Sequence, residues 1–236
     1  MKIAILGYGK MGKAIESIAL ESGHEIVLKI NSSNSHELTI ENLKKADVAI
    51  EFTQAQTAVH HILTCFEAGI PVVCGSTGWL ENRGLVDGKC MEKNGCFFYA
   101  SNFSIGVNLF FELNKKLARL MADQEYVLQL EEIHHTEKKD APSGTAISLA
   151  EDILKINPRK KTWVNSPTDN LSEIPILSRR IDPAPGTHIV KYFSEIDEIE
   201  IMHTAKSRKG FAAGALAAAQ FVLGKKGIFS MQDLLF

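Results

Sequence analysis

The stretch MKIAILGYGKMGKAI, residues 1–15, decides the fold of the N-terminal part of the chain. Its apolar run KIAIL is typical of a buried strand, and glycines at positions 7, 9 and 12 follow in G-x-G-x-x-G spacing. In such a motif Gly7 permits a tight turn, Gly9 lets the backbone approach a pyrophosphate, and Gly12 lets helix and strand pack closely. The free N–H groups of the helix start suit phosphates. The stretch therefore predicts a Rossmann-like, dinucleotide-binding domain.

The rest of the chain shows two patterns of apolar and amphipathic segments, one before and one after about residue 104. Over the first hundred residues the apolar runs EIVLKI, DVAIEF, PVVC and CFFYA alternate with amphipathic stretches, which predicts a parallel sheet with crossover helices. Beyond residue 104 we expect a helix over 106–122, the strand YVLQLEEI and a helix opening near Ser143. The closely spaced IPILSRR, THIVKYFS and DEIEIMHTAKS suggest antiparallel pairing, with an exposed edge at THIVKYFS. The Ala-rich segment GFAAGALAAAQFVLG could return to the first domain.

These patterns predict an α/β protein of two domains. An N-terminal Rossmann-like dinucleotide-binding domain comprises residues 1–104 and 208–236. A second, α+β domain, built on an open mixed sheet, comprises residues 105–207 and is the expected substrate-binding domain.

Composition argues against several classes of function, namely nucleic-acid binding, membrane binding and zinc binding. With 236 residues and a net charge of −2, the chain offers no bulk electrostatic reason to bind nucleic acid or an anionic membrane. No apolar run approaches the roughly 20 residues of a membrane span, and the early glycines are unlike a signal peptide, so a cytoplasmic protein is expected. The four cysteines lack paired C-x-x-C spacing, which favours reduced, packed thiols over disulfides or a zinc site. No metal is expected.

Asn31 stands where the acidic residue of the dinucleotide fingerprint would be, and Ser32 and Ser33 follow it. Asn31 can hydrogen-bond a ribose hydroxyl but lacks the charge that would repel a 2′-phosphate. We therefore predict that NADPH is accepted, alone or alongside NADH. A preference for NADH above about 100-fold would contradict this.

Proton carriers are crowded into EIHHTEKKDAPSGT, residues 132–145. His134 and His135 follow a strand, Lys138 lies four residues past His134, and Ser143 is a plausible helix cap. Imidazole exchanges protons near neutrality, while an ammonium pairs with carboxylates. Histidines alone would more often be structural. Their combination with Lys138 and a helix start, in a dinucleotide-binding protein, favours a site for an anionic substrate.

The block HHTEKKDAPSGT resembles the signature of the 4-hydroxy-tetrahydrodipicolinate reductase family, long called dihydrodipicolinate reductase. Similar segments extend along the chain: GYGKMGKAI, EFT at 51–53, GSTGW at 75–79, SNFSIGVN at 101–108 and HTAKSRKGFAAGAL near the end. The resemblance implies reduction of 4-hydroxy-tetrahydrodipicolinate to tetrahydrodipicolinate by NADPH and/or NADH, in the diaminopimelate route to lysine. It also implies a homotetramer.

Motif by motif, the resemblance assigns roles to residues. His134 falls on the family's proton donor or acceptor and Lys138 on a proton donor, while His135, Gly144 and Thr145 fall on substrate contacts. The cofactor-binding positions are Gly7, Tyr8, Gly9, Lys10, Met11, Gly12, Asn31, Gly75, Ser76, Thr77, Ala100, Ser101, Asn102, Phe103, Arg208 and Phe211.

Two places depart from the family pattern. Thr136 and Glu137 fill a position that often reads Arg-His, and Asp182 with Pro183 replaces a common Gly-Asp pair. Neither departure removes a catalytic group.

Two alternatives stay open from the sequence. One is a different Rossmann oxidoreductase, such as an aspartate dehydrogenase-like enzyme, which the dense 134–145 block argues against. The other is a redox-sensing regulator without catalysis, although no basic recognition helix is apparent.

Overall fold

The computed structural model describes residues 1–207 and 209–236, and contacts divide the chain into two compact units. The first unit is Met1–Ile105 with Arg208–Phe236, and the second is Gly106–Ser207. The first break lies one residue from the boundary expected from the sequence. Arg208, one of the expected cofactor residues, lies outside the described residues.

The first unit is built on a parallel sheet of six strands: β1 (Lys2–Leu6), β2 (Glu25–Ile30), β3 (Val48–Glu51), β4 (Val72–Cys74), β5 (Cys96–Tyr99) and β11 (Gly227–Phe229). Their order is β11-β5-β4-β3-β1-β2. Its helices are α1 (Lys10–Glu21), α2 (Ile40–Leu43), α3 (Ala55–Ala68), α4 (Arg83–Glu92), α7 (Lys209–Phe221) and α8 (Met231–Leu235). Apolar clusters cover both faces of the sheet, as the continuous apolar strands require.

β1 lies at the point where the strand order of the sheet reverses, which is where ligands of such sheets bind. It pairs with β2 on one side and β3 on the other, so the crossovers leave it in opposite directions. Ligands of open α/β sheets bind outside the carboxyl ends of the strands at such a reversal. The predicted parallel sheet is confirmed, although the short edge strand β11 was not anticipated.

The Ala-rich helix α7 belongs to the first unit, as the sequence suggested. A Cβ at Gly214 of this helix would lie 1.7 Å from the backbone oxygen of Phe103. Only glycine permits this approach between helix and loop. The four cysteines are free and buried, and burial raises the pKa of the Cys96 thiol to about 11. The prediction of packed, reduced thiols is confirmed.

The second unit is a mixed sheet of five strands in the order β10-β9-β6-β8-β7. The strands are β6 (Val127–His134), β7 (Thr162–Val164), β8 (Glu173–Arg180), β9 (Thr187–Phe193) and β10 (Glu198–Thr204). The helices α5 (Ile105–Met121) and α6 (Gly144–Ile156) share one apolar cluster with the inner residues of the strands. Asn114 on α5 donates from Nδ2 to the Leu149 carbonyl on α6, 3.1 Å away.

Two expectations for this sheet were wrong. β8 does not pair with β9 but lies parallel to β6, because helix α6 makes the connection from β6 a crossover, which gives parallel pairing. β9 is not an edge strand, since it lies between β6 and β10 with antiparallel partners on both sides. The edges are β10 and β7. Within the described residues, no helix is long and apolar enough to cross a bilayer.

Candidate active site

A cavity of about 520 Å³ lies at the carboxyl ends of β1, β2 and β3 in the first unit. Four of the expected cofactor residues line it, namely Gly7, Tyr8, Gly9 and Asn31. The others are Ile30, Ser32, Ser35, Phe52, Thr53, Gln54, Thr57 and His61, which were not assigned from the sequence. Because they follow the ends of β2 and β3, the switch-point rule could have identified them.

Residues Gly7–Gly12, the glycine turn, have the geometry that the motif predicts. Gly7 has φ +101°, and a Cβ there would lie 2.2 Å from the backbone oxygen of Phe52. A Cβ at Gly12 would lie 2.4 Å from the Gly7 oxygen, whereas one at Gly9 would meet no protein atom within 4 Å. Helix α1 begins at Lys10 with Gly9 as its cap. The turn thus leaves space beside free N–H groups, which fits a pyrophosphate.

Asn31, at the end of β2, is held by its own turn. Its Oδ1 accepts hydrogen bonds from the Ser33 backbone N–H at 2.8 Å and from the Ser33 hydroxyl at 2.6 Å. Because a backbone N–H only donates, the atom facing Ser33 must be the oxygen. The remaining polar group of this cavity-lining side chain is therefore an NH₂ donor.

The other expected cofactor residues of the first unit lie in four places. Lys10, Met11 and Gly12 begin α1, and Phe211 is half-buried on α7. Gly75, Ser76 and Thr77 follow β4, while Ala100, Ser101, Asn102 and Phe103 follow β5. Phe103 is buried, with its ring 5.6 Å from that of Phe52, so its side chain belongs to the core and only its backbone can face a ligand.

A buried carboxylate supports the loops at the ends of β3 and β4. Glu51 is fully buried, and its Oε1 accepts from the Thr53 backbone N–H at 3.0 Å. The Cys74 thiol lies 3.1 Å from Oε2, and His61 Nδ1 lies 3.7 Å from Oε1. Burial raises the pKa of Glu51, but contacts with His61 and Thr53 outweigh it and hold the pKa below its usual value. The apolar run DVAIEF predicted a buried strand at Glu51 but not the partners of its carboxylate.

In the second unit, helix α6 starts beside the end of β6. Ser143 caps the helix, as predicted, since its Oγ accepts from the Ala146 backbone N–H at 3.2 Å. Gly144 and Thr145 form the first turn, Gly144 being exposed and Thr145 half-buried. The free N–H groups of such a start can bind a carboxylate.

Beside it lies the His134 cluster, which we define as Glu132, His134, Ser143, Arg180 and His188. Glu132 and His134 are two residues apart on β6, so both side chains lie on one face of the sheet. His134 Nδ1 lies 3.1 Å from Glu132 Oε2. The same carboxylate accepts from the Ser143 backbone N–H at 3.1 Å and from Arg180 Nη2 at 3.0 Å.

Burial and pairing decide the charges in this cluster. Burial raises the pKa of Glu132, but contacts with His134, Ser143 and Arg180 outweigh it, so its pKa lies far below normal. Burial, reinforced by the charge of His134, lowers the pKa of His188 to about 4. His188 is therefore neutral at pH 7, and its Nε2, 3.0 Å from Ser143 Oγ, can accept the hydroxyl proton.

Lys138 lies on the loop between β6 and α6. Its Nζ bonds both carboxylate oxygens of Asp140, at 2.8 and 2.7 Å. Arg180 holds the same loop by donating to the carbonyls of Lys138 at 3.3 Å and Asp140 at 2.6 Å. His135 precedes this turn, and its carbonyl accepts from the Lys138 N–H at 3.2 Å.

The two departures from the family pattern contact each other. The Thr136 backbone N–H and hydroxyl donate to the two carboxylate oxygens of Asp182, at 3.1 and 2.5 Å. These hydrogen bonds hold the pKa of Asp182 below its usual value. Where the family often has basic residues, this chain thus has hydrogen bonds from Thr136 to Asp182 that join the two loops.

Glu132, His134 and His188 also bring possible ligand atoms within 4.8 Å of one another, the one such group found in residues 1–207 and 209–236. The Glu132 carboxylate is already bonded to a guanidinium and a backbone N–H, and a neighbouring guanidinium opposes a second cation. We therefore treat this group as a hydrogen-bond network. Sequence reasoning identified His134 and included Glu132 in the stretch 132–145 without giving it a role. It missed Arg180 and His188, because residues so far from His134 in sequence carry no local spacing signal.

Comparison with known proteins gives the same family along both units. The family models described as Dihydrodipicolinate reductase, N-terminus, and Dihydrodipicolinate reductase, C-terminus, match residues 1–103 and 106–235. A 4-hydroxy-tetrahydrodipicolinate reductase of Christiangramia forsetii is 49% identical over 237 residues, covering 100% of this chain and 98% of the relative. One from Methanopyrus kandleri is 38% identical over 200 residues, covering 82% and 72% respectively.

Solved structures agree on the fold. A dipicolinate-bound dihydrodipicolinate reductase from Paenisporosarcina has a TM-score of 0.82 at 22% identity, covering 100% of this chain and 99% of that one. An aspartate dehydrogenase from Thermotoga maritima has a TM-score of 0.50 at 12% identity, covering 95% of this chain and 97% of that one, and shares the fold alone. The family matches decide against both alternatives, the aspartate dehydrogenase-like enzyme and the regulator.

Proposed function

The chain belongs to the dihydrodipicolinate reductase family, and from this premise we propose that its first unit holds the cofactor and its second unit the substrate. It is an oxidoreductase that reduces 4-hydroxy-tetrahydrodipicolinate with a pyridine nucleotide, in the diaminopimelate route to lysine. One observation supports this division of cofactor and substrate between the units. His134, Lys138 and the start of α6 surround one charge network in the second unit, while the glycine turn lies in the first.

The residues of the second unit suit a dianionic substrate. A bound nicotinamide nucleotide supplies the hydride. His134 is placed to exchange a proton through Nε2, because its Nδ1 faces Glu132. Lys138 and the N–H groups of Gly144 and Thr145 can hold the two carboxylates. Because Asp140 occupies Lys138 Nζ, a substrate carboxylate has to compete with Asp140 for that ammonium.

The adenosine end of the cavity supports the use of both cofactors. Asn31 offers NH₂ donors there and Ser32 and Ser35 offer hydroxyls, while among the described lining residues none is a carboxylate or a lysine or arginine. The described lining residues therefore neither repel a 2′-phosphate nor supply a lysine or arginine that selects for it. We propose that kcat/KM for NADPH and NADH differ by less than about 100-fold.

A variant tests this assignment. Asn31→Asp introduces the carboxylate that disfavours a 2′-phosphate, so kcat/KM for NADPH should fall by about tenfold or more while that for NADH changes little. Asn34→Asp, three residues away, is the comparison. Equal losses for both cofactors in Asn31→Asp would contradict the role of Asn31.

We also propose a homotetramer and a cytoplasmic location. The edge strand β10 exposes Ile199 and Met202, by 40% and 60%, which is compatible with association through the sheet. The four free thiols suit a reducing compartment. Light scattering of the purified chain would measure its mass, and a monomer would contradict the assembly.

The catalytic residues are tested by following NADPH oxidation on the condensation product of pyruvate and aspartate semialdehyde. His134→Ala or Lys138→Ala should lower kcat by roughly 100-fold or more with the fold intact, since each removes a proton donor. The exposed neighbour Lys139→Ala is the control and should retain turnover. Near-normal kcat in both site variants would overturn the assignment.

A further inference from the structure

Glu132 is a fully buried carboxylate to which the proposed reaction gives no direct part. A buried charge is costly unless it is paired and hydrogen-bonded. Here it is paired with Arg180 and hydrogen-bonded by the Ser143 backbone. The question is what these contacts do for the reacting groups.

The first effect concerns the imidazole of His134. Glu132 Oε2 lies 3.1 Å from Nδ1, although Nδ1 makes no well-aligned hydrogen bond. The carboxylate charge therefore favours the tautomer of the neutral ring that carries its proton on Nδ1, and Nε2 remains for exchange with substrate. A Cβ at Gly186 would lie 3.0 Å from His134 Nε2. Glycine at position 186 therefore keeps space open beside the atom that must exchange the proton.

The second effect concerns the loop of Lys138. The Arg180 guanidinium bonds Glu132 and the carbonyls of Lys138 and Asp140. One ion pair thus connects the carboxylate behind His134 to the backbone that carries the second proton donor.

We propose that Glu132 and Arg180 are positioning residues, a pair that fixes the ring of His134 with Nε2 facing substrate and braces the loop of Lys138. This inference rests on the proposed role of His134. The carboxylate acts through the imidazole and does not touch the substrate.

The charged and titratable neighbours agree with this role. Across the sheet, His188 Nε2 lies 4.0 Å from Glu132 Oε2 but is neutral, and His203 on β10 pairs in register with His188. Arg180 and Lys138 are cations, and Asp140 neutralises Lys138. Glu132 is therefore the anion in direct contact with His134.

The central test compares Glu132→Gln with Glu131→Gln. Glu131 lies on the same strand but the opposite face, and its Oε1 pairs with Arg179 Nε at 2.7 Å in a more exposed place. Each variant therefore breaks one Glu–Arg pair between β6 and β8, but only Glu132→Gln breaks the pair beside His134. In Glu132→Gln, kcat should fall about 10- to 100-fold while KM changes less than about threefold. Glu131→Gln should leave both constants unchanged.

Rescue by the conservative variant separates positioning from mere structural support. Glu132→Asp keeps the charge near Nδ1 and should restore kcat in part, whereas Glu132→Gln does not. A merely structural role would lower the folded fraction and leave kcat per folded molecule unchanged in both variants.

Arg180 is left unpaired by Glu132→Gln, so folding is followed by circular dichroism and thermal unfolding. If that variant does not fold, the double variant Glu132→Gln with Arg180→Met removes both charges of the pair and must show the same fall in kcat with little change in KM. An unchanged kcat in either folded variant overturns the proposal, as does an equal loss in Glu131→Gln. Normal turnover in His134→Ala would instead overturn the proposed catalytic site itself.

Discussion

The glycine turn and the His134 cluster, which we propose as parts of the cofactor and substrate sites, are built in different ways. The glycine turn is six consecutive residues whose backbone N–H groups and missing Cβ atoms make the site. The His134 cluster is made of side chains from β6, β8, β9 and the start of α6, held by hydrogen bonds and ion pairs. A backbone site therefore depends on space and dihedral angles, whereas a side-chain site depends on burial and charge.

The largest expected effect tests the space at the glycine turn. Gly7→Ala places a Cβ 2.2 Å from the Phe52 oxygen at φ +101° and should lower the free energy of unfolding by more than about 3 kcal/mol. Gly23→Ala, with φ +74° and no atom within 4 Å, should cost only about 1–2 kcal/mol. Urea unfolding measures the free energy of unfolding of both variants. Equal losses of stability would show that the steric overlap at Gly7 does not destabilise the fold.

The next effect tests the charge in the His134 cluster. Unfolded His188 takes up a proton below about pH 6.5, while burial and His134 delay this in the folded protein to about pH 4. Stability from His188 is thus complete above pH 6.5 and should fall by about 3 kcal/mol as the pH drops to 4.

Urea unfolding at several pH values measures this loss, with His188→Gln as the comparison. The amide can still accept from Ser143 but does not titrate, so the variant should lose stability less steeply between pH 6.5 and 4.5. Parallel curves for the two proteins would contradict the linkage. Glu132, whose pKa is lowered, adds its own loss only at more acid pH.

A smaller effect separates cofactor binding from folding. Gly9→Ala meets no protein atom within 4 Å, yet its methyl group would enter the space left for the pyrophosphate. We expect the KM for the nucleotide to rise about tenfold, or about 1.4 kcal/mol, with a nearly unchanged melting temperature. Gly88→Ala on α4, also in open space, should leave KM as it is. An unchanged KM in Gly9→Ala would show that the pyrophosphate does not bind at this turn.

The smallest effect compares two helix caps, one in each unit. Thr39 caps α2 and Ser143 caps α6, each accepting a backbone N–H at 3.2 Å. Replacement by alanine should cost about 1 kcal/mol in both, but Ser143→Ala also removes the partner of His188. Only Ser143→Ala should therefore raise the KM for substrate. Equal kinetics in the two variants would show that the Ser143 hydroxyl serves the helix alone.

The sequence predicted most of the first unit because its signals are local. The glycine spacing indicated a turn with positive φ at Gly7, and the apolar runs marked β1 to β5 in their observed places. Prediction was weaker in the second unit, where β8 and β9 both pair with β6, β8 parallel to it and β9 antiparallel. Their pairing depends on the crossover through α6, which local alternation does not encode.

Within the candidate site, residue type and spacing were enough to select His134, Lys138 and the cap Ser143. The surroundings of these residues could not be predicted, because Arg180 and His188 reach His134 only when β8 and β9 come to lie on either side of β6. Thr136 and Asp182 appeared as two separate departures in the sequence and became one contact in the fold.

The sequence by itself determined the chemistry that is available: glycines where a backbone must come close, and histidine, lysine and a helix start where protons and carboxylates are handled. The tertiary structure alone decided the electrostatic state of those groups. A carboxylate such as Glu132 is an ordinary surface charge until burial removes water from it. It acts on a neighbouring imidazole only when strands distant in sequence enclose both.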